Sequence, residues 1–260
     1  MKSNRWVIKL GSGLLTTDDG RVDHARFADL AAQVRSLMDA GHEVVLVSSG
    51  AIACGMTLMG LDARPTAAAE LRACATIGQI ELMAEYRRHF AGHGLLPAQL
   101  LLTYGDFDSR SCHRNAAATL DRLLSQKKYV PVINENDAIA DDEIKFGDND
   151  RLSAHVASLC HAGKLVILSG IDGLLTKLDG TGEVIREVTD LDAVRGLAQG
   201  TTGRTNVGGM TTKLLAAEIA AETGCATVVA NGRTPGILAA IASDKFTGTT
   251  FRLAKRDTEH

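Results

Sequence analysis

Short apolar runs alternate along the chain with longer segments in which apolar positions recur at helical spacing. The runs RWVIKL (5–10), EVVLVSS (43–49), LPAQLLLT (96–103), YVPVIN (129–134), KLVILSG (164–170) and ATVVAN (226–231) carry their apolar residues consecutively rather than at every second position. Strands of that kind have both faces covered, and helices between them build β-α-β units. The pattern predicts an α/β fold, a three-layer α/β/α sandwich around a central, mostly parallel sheet. The clearest helices are expected over about 23–40, stopped by Gly41, over about 67–90, and over about 210–223. Two stretches interrupt the alternation. Residues 138–147 read as a small hairpin or lid, and 172–188 as a second excursion with a turn at Asp179-Gly180. No repeat, linker or second domain is visible, so 1–260 is expected to form one domain.

With 260 residues and 45% apolar content the chain can bury a full core. Its 28 Lys and Arg against 31 Asp and Glu leave no basic excess, which argues against nucleic acid or a membrane surface as partner. Small molecules are the expected partners. The five cysteines (Cys54, Cys74, Cys112, Cys160, Cys225) are scattered and form no C-x-x-C pair, so neither a disulfide framework nor a zinc knuckle is expected. The opening MKSNRWVIKLGSG has too short an apolar run for a signal peptide, and no window reaches the length of a membrane span. A cytoplasmic location is expected.

Candidate chemistry gathers where strands end. KLGSG (9–13), SSGAIACG (48–55) and GRTNVGGMTTK (203–213) are glycine-rich turns, and glycine at the carboxyl end of a strand lets backbone N–H groups approach an anion. GSGLLT lacks the third small residue of G-x-G-x-x-G, and GGMTTK has the wrong order for a P-loop, so neither nucleotide motif is present. Directly after YVPVI comes NENDAIADDEIKFGDND, which crowds seven carboxylates and three asparagines into 134–150. A solvated loop would account for that stretch alone; a site for a charged small molecule would account for it together with the lysine and glycine turns.

Taken together, VIKLGSGLLT, GHEVVLVSSGAIACG, GQIELM, VPVINENDAI, EIKFGDNDRLSA, DGLLT and VGGMTTKLLAA resemble the amino-acid kinase superfamily (the carbamate-kinase-like fold) and, within it, the glutamate 5-kinase family. The paired INEND and GDND segments are the most specific part of the likeness. Gly13 stands where that family usually has Ser, Ser169-Gly170 where Thr-Asp is typical, and His113 where an aromatic residue is usual. Gly170 therefore offers no side chain to a nucleotide. Members often carry a C-terminal PUA domain, for which this chain is expected to be too short.

The resemblance implies ATP-dependent phosphorylation of the L-glutamate γ-carboxylate, the first step of proline biosynthesis. It implies ATP as co-substrate, Mg²⁺ held mainly by the phosphates, no protein metal cage, a homo-oligomer (dimer or tetramer) and L-proline as a feedback inhibitor. Other acceptors within the superfamily are acetylglutamate, aspartate, carbamate and nucleoside monophosphates; a non-catalytic nucleotide or amino-acid sensor is the remaining alternative. Phosphoryl transfer asks mainly for positioning and positive charge. Lys9, closing the first strand, can reach the transferring group, and Lys213, one turn into a helix, the leaving β-phosphate; Asp150 resembles the carboxylate that organises both lysines. The expected ATP-binding set is Lys9, Gly11, Ser169, Gly170, Val207, Gly208, Gly209, Met210, Thr211, Thr212 and Lys213. For the amino acid, Asp137 and Asp148 are expected to accept from the ammonium, and Ser49, Asn134 and Asn149 to donate to carboxylate oxygens. Asp141, Asp142 and Glu143 are read as a solvated tip; Arg110 and Asn115 match the family's segment, where a capping or interface role stands beside substrate contact. His89 and His93 have i, i+4 spacing, but Gly92 and Gly94 mark a helix end there, and no metal site is expected.

Overall fold

The computed structural model describes residues 3–17, 20–140, 149–177, 181–198 and 209–254 of the chain. Along the first half run β1 (Arg5–Leu10), α1 (Ser12–Leu15), α2 (His24–Asp39), β2 (Glu43–Ser48), α3 (Ala51–Leu58), α4 (Ala68–Ala91), β3 (Leu96–Leu102), α5 (Tyr104–Asp108), α6 (Arg110–Leu124) and β4 (Tyr129–Glu135). The second half adds α7 (Asn149–Leu159), β5 (Lys164–Ser169), β6 (Glu187–Val188), a 3₁₀ turn (Arg195–Ala198), α8 (Met210–Ala221), β7 (Ala226–Asn231), α9 (Ile237–Ala242) and β8 (Gly248–Phe251). Among the described residues these strands form one sheet in the order β3-β4-β2-β1-β5-β7-β8-β6. All neighbours are parallel except β7 and β8.

Alternation of side chains across the strands divides the core into two layers. Trp6, Ile8 and Leu10 of β1, with Val44 and Leu46 of β2, pack against α2, α4 and α9. Val7, Val45, Val47, Leu165 and Ile167 face the other way, onto α7 and α8. Lys9 shares the orientation of Val7, and lies opposite Val47 and Ile167 in the register. Its ammonium therefore points to the α7/α8 side. The chain leaves β1 toward β2 on one side and later crosses to β5 on the other, so the order reverses at β1; ligands in open α/β sheets bind outside the carboxyl ends of strands at such a reversal.

Helix ends follow their local signals. Asp23 caps α2 by accepting from the Arg26 N–H, and Ser109 caps α6 by accepting from that of Cys112. Where the sequence suggests only a turn after β1, the Gly11 turn opens directly into the four residues of α1. The expected helix over 210–223 ends at Ala221. β6 and β8 are additions to the expected strands. The excursion over 172–188 is tied by an antiparallel bridge between Leu175 and Val184, while its turn at Asp179-Gly180 falls outside the described residues. Of the expected hairpin at 138–147, residues 141–147, with Asp141, Asp142 and Glu143, also fall outside them. Cys54, Cys74, Cys160 and Cys225 are buried free thiols, and Cys112 is exposed. Among the described residues no helix is long and apolar enough to cross a membrane.

Two glycines shape the approach of α3 and α4 to the sheet edge. Gly50, at the start of α3, sits at φ 115°, in the region that favours glycine, and lets the chain turn from β2 into the helix. Gly78 brings α4 against α3 backbone to backbone: a Cβ there would lie 1.9 Å from the Ala51 carbonyl oxygen and 2.3 Å from the Gly55 nitrogen. Gly78→Ala must push the helices apart, and overpacking of this kind costs about 1–3 kcal/mol or more. A lowered urea midpoint is expected, accompanied by a raised KM for any ligand held at Ser49, just before α3.

Candidate active site

Three elements that begin or end at the same edge of the sheet bring Lys9, Asp150 and Lys213 together. Lys9 is the penultimate residue of β1, Asp150 the second residue of α7, and Lys213 lies in the first turn of α8. Oδ1 of Asp150 is 2.7 Å from Lys9 Nζ and Oδ2 is 3.0 Å from Lys213 Nζ. Thr212 Oγ1 donates to the same Oδ2 at 2.8 Å. All three charged groups are buried, Asp150 completely. Burial by itself would raise the Asp150 pKa, but the two ammonium charges and the hydrogen bonds outweigh it and hold the carboxylate down at about 2. Asp150 stays ionised and fixes the positions of two cations, whose combined charge exceeds its own by one.

Around the α8 terminus, Gly209 is the N-cap and provides no side-chain cap, so the first N–H groups of the helix lack partners within it. Met210 buries its side chain in the core and leaves its backbone to that end, while Thr211 and Thr212 lie beside it. Val207 and Gly208 fall outside the described residues. Gly11 donates from its backbone to the Leu168 carbonyl, joining the β1 turn to the end of β5. Ser169 closes β5 opposite Asn231 with its hydroxyl buried and unbonded, and Gly170 comes next, exposed. Lysine ammonium groups, a helix N-terminus and glycine turns form a place for polyanionic phosphate.

A second cluster sits beside the lysines at the ends of β2 and β4. The Asn149 amide Nδ2 donates to the Ser48 carbonyl (2.9 Å), Ser49 Oγ (3.0 Å) and Asn134 Oδ1 (2.8 Å). Asn134 in turn donates to Gln79 Oε1 at 2.9 Å, and Gln79 donates to Gln99 at 2.9 Å. Tyr86 Oη donates to Ser48 Oγ at 2.8 Å. Asn149 Oδ1 is left buried without a hydrogen bond. The sequence suggests that Asn149 and Asn134 donate to the ligand; here both amide N–H₂ groups are engaged within the protein. Turning the Asn149 amide over would set its oxygen against the Ser48 and Asn134 oxygens. Asn149 therefore presents an acceptor, which suits an ammonium, and the Ser49 hydroxyl remains to donate.

Asp137, two residues after β4, lines a cavity of about 260 Å³ with Gln79, Ile80, Gln99, Leu101 and Asn136. Its Oδ1 is buried and unbonded. Burial, only partly countered by the Arg64 charge, pushes its carboxyl up to about 6. Such a group is disfavoured as an anion unless a cation lies beside it. Asp148, expected beside it, falls outside the described residues. Arg110 and Asn115 both lie in α6, where the Asn115 carbonyl accepts from Thr119 Oγ1. Gln79 lies in the GQIELM segment of the resemblance without being singled out, and Tyr86 carries no mark: in a long helix of mixed polarity nothing in their spacing distinguishes a residue that supports a site from one that faces solvent.

Residues 4–231 match the Amino acid kinase family. The chain is 43% identical over 252 residues to a glutamate 5-kinase of Marinomonas sp. (strain MWYL1), covering 95% of this chain and 67% of that one. It is 44% identical over 266 aligned positions to a glutamate 5-kinase of Burkholderia multivorans, covering 98% and 70%. Among solved structures, the UMP kinase of Bacillus anthracis superposes with a TM-score of 0.65 at 19% identity, over 97% of both chains. The carbamate kinase of Giardia lamblia bound to AMP-PNP gives 0.66 at 14%, over 96% and 99%. At those identities the structures speak for the fold.

Proposed function

The chain belongs to the amino acid kinase family and, within it, to the glutamate 5-kinases, and from that membership we propose that it transfers the γ-phosphoryl group of ATP to the γ-carboxylate of L-glutamate. The product is L-glutamyl 5-phosphate, which opens proline biosynthesis. The observation that carries the proposal is the buried pair of lysines held by Asp150 next to a cluster suited to an amino acid. A carboxylate oxygen of glutamate attacks the γ-phosphorus as the bond to the β-phosphate oxygen breaks and ADP leaves. The acceptor is ionised at neutral pH and no general base is needed. Lys9 holds the transferring group and Lys213 the leaving β-phosphate, neutralising charge that builds as the two anions meet. The α8 terminus with Gly209 to Thr212, the Gly11 turn and Ser169-Gly170 hold the nucleotide. Ser49 donates to a glutamate carboxylate, and Asp137 and Asn149 Oδ1 accept from its ammonium. Both Asp150 oxygens are taken by lysines, so Mg²⁺ arriving with ATP would be held mainly by phosphate oxygens rather than by that carboxylate. ADP release measured with L-glutamate, N-acetyl-L-glutamate and L-aspartate tests the acceptor: a preference for either of the latter two would overturn the assignment.

The Asp137 carboxyl makes the reaction sensitive to pH. Below about pH 6 Asp137 in the free protein takes up a proton and loses its attraction for the ammonium. kcat/KM for glutamate should fall toward tenfold per pH unit below that point and level off above it, and Asp137→Asn should remove the inflection. The proposal includes a homo-oligomer, supported by the exposed Ile77 and Ile80 of α4 and the exposed Leu96 of the edge strand β3, and a cytoplasmic location. L-proline, as a small amino acid with the same ammonium and α-carboxylate, is included as a feedback inhibitor.

A further inference from the structure

Away from the phosphate site, α2 and α4 bring three metal-ligating side chains to one point. One ligand atom from each of His24, Glu85 and His89 lies within 4.8 Å of the other two. We infer that His24, Glu85 and His89 bind one divalent transition-metal ion of the zinc type. The inference is independent of phosphoryl transfer.

Glu85 is buried, its side chain only 1% exposed, and its two oxygens are used differently. Oε1 is 2.6 Å from the guanidinium of Arg88, on the same helix. Oε2 is turned to both imidazoles, 2.8 Å from His24 Nδ1 and 3.3 Å from His89 Nε2. His89 Nε2 is buried and makes no hydrogen bond of acceptable geometry, so its approach to Glu85 is close without being productive. A carboxylate with one oxygen anchored and the other exposed to two imidazole nitrogens is an arrangement in which an outer partner orients the ligand atom. Zinc bonds to imidazole nitrogen and carboxylate oxygen are about 2.0–2.2 Å, which in a tetrahedron separates ligand atoms by about 3.4 Å. To admit an ion the separation from Oε2 must open by about 0.6 Å at His24 and by about 0.1 Å at His89.

The supports are rigid. Glu85 and His89 are one turn apart on α4, the His89 ring stacks on Phe27 of α2 at 5.9 Å between centroids, and the His24 and His89 rings are 5.7 Å apart. His24, 59% exposed, lies at the solvent side, so an ion can enter there with water completing its shell. Two nitrogens and one oxygen suit zinc and its neighbours and not magnesium, which takes oxygen ligands. The ion would staple the first turn of α2 to α4. His93, at i+4 from His89 in the sequence, lies beyond the helix end and outside the cluster.

The test uses the metal-stripped chain without nucleotide, titrated with Zn²⁺ against a chromophoric chelator and, separately, with Co²⁺. One site is expected, with visible Co²⁺ bands of four- or five-coordination and a Tm that rises with Zn²⁺. His24→Ala, which removes an exposed ring and leaves the core intact, should weaken Zn²⁺ binding at least about tenfold and abolish the rise in Tm, as should His89→Gln; His93→Ala should change neither. Undiminished Zn²⁺ affinity in His24→Ala, or a wild-type Tm indifferent to Zn²⁺, would mean that the cluster is only a hydrogen-bonded one and overturn the inference.

Discussion

Lys213→Ala is expected to lower kcat by on the order of 10²–10³ while leaving the KM for glutamate nearly unchanged, because in the proposed reaction the lysine acts on charge that develops only as the β-phosphate leaves. Lys9→Ala should lose a similar factor. The double variant should lose far less than the product of the two, since both lysines act on one transition state through one carboxylate. Each single variant leaves Asp150 with one ammonium partner, so folding should survive. Asp150→Asn is different in kind. It strands two buried ammonium groups, and removing one member of a buried ion pair typically costs about 3–5 kcal/mol. The sign with pH is fixed by the depressed pKa: the stability Asp150 contributes, about 2 kcal/mol, is present at neutral pH and lost as pH falls from about 4 to about 2. Steady-state rates with glutamate and ATP varied separately, and acid unfolding of wild type against Asp150→Asn, check both statements. An unchanged kcat in folded Lys213→Ala would remove the lysine from the reaction.

Asp137→Asn should do the reverse. Without its charge the ammonium of glutamate loses a partner in a mostly buried site, and loss of that kind costs about 2–5 kcal/mol, so the glutamate KM should rise at least tenfold. The KM for ATP should move little, because the proposed reaction puts the nucleotide on the other side of the transferring group. The same substitution should stabilise the ligand-free protein. A carboxyl raised to about 6 favours folding when protonated, and that contribution disappears as pH rises from about 4 through 6. At neutral pH the anion therefore costs on the order of 1–3 kcal/mol, which asparagine avoids. A surface-loop role predicts neither effect, since such substitutions stay within about 0.5 kcal/mol. Equal KM shifts for both substrates, or a ligand-free Tm at neutral pH that falls, would contradict the ammonium role.

The central sheet is readable in the sequence because β1, β2, β4, β5 and β7 are covered on both faces and so carry consecutive apolar residues. β6 has two residues and β8 is GTTF, too short and too polar to stand out. The chemistry of Lys9, Asp150 and Lys213 is visible in their surroundings, each beside a glycine turn or an acidic run. Their meeting is implied by the family resemblance alone and not by the residue pattern, since it depends on which face of β1 Lys9 occupies and on α7 and α8 starting over that face. The amide cluster shows the limit more sharply. That the Asn134 amide is used up within the protein, and that Asn149 presents an oxygen rather than a nitrogen, is decided by Gln79 and the Ser48 carbonyl, distant in sequence. The pairing of His89 with His24 likewise depends on the packing of α2 against α4.

The reaction itself is most directly tested by trapping its product. An acyl phosphate on the glutamate side chain reacts with hydroxylamine to give γ-glutamyl hydroxamate, which a simple phosphate ester or ATP hydrolysis cannot produce. The purified chain, with Mg²⁺ and ATP, should form hydroxamate in proportion to ADP when L-glutamate is present, and hardly any with L-aspartate or N-acetyl-L-glutamate. ADP release without hydroxamate, or hydroxamate formed equally well from aspartate, would contradict phosphoryl transfer to the glutamate γ-carboxylate.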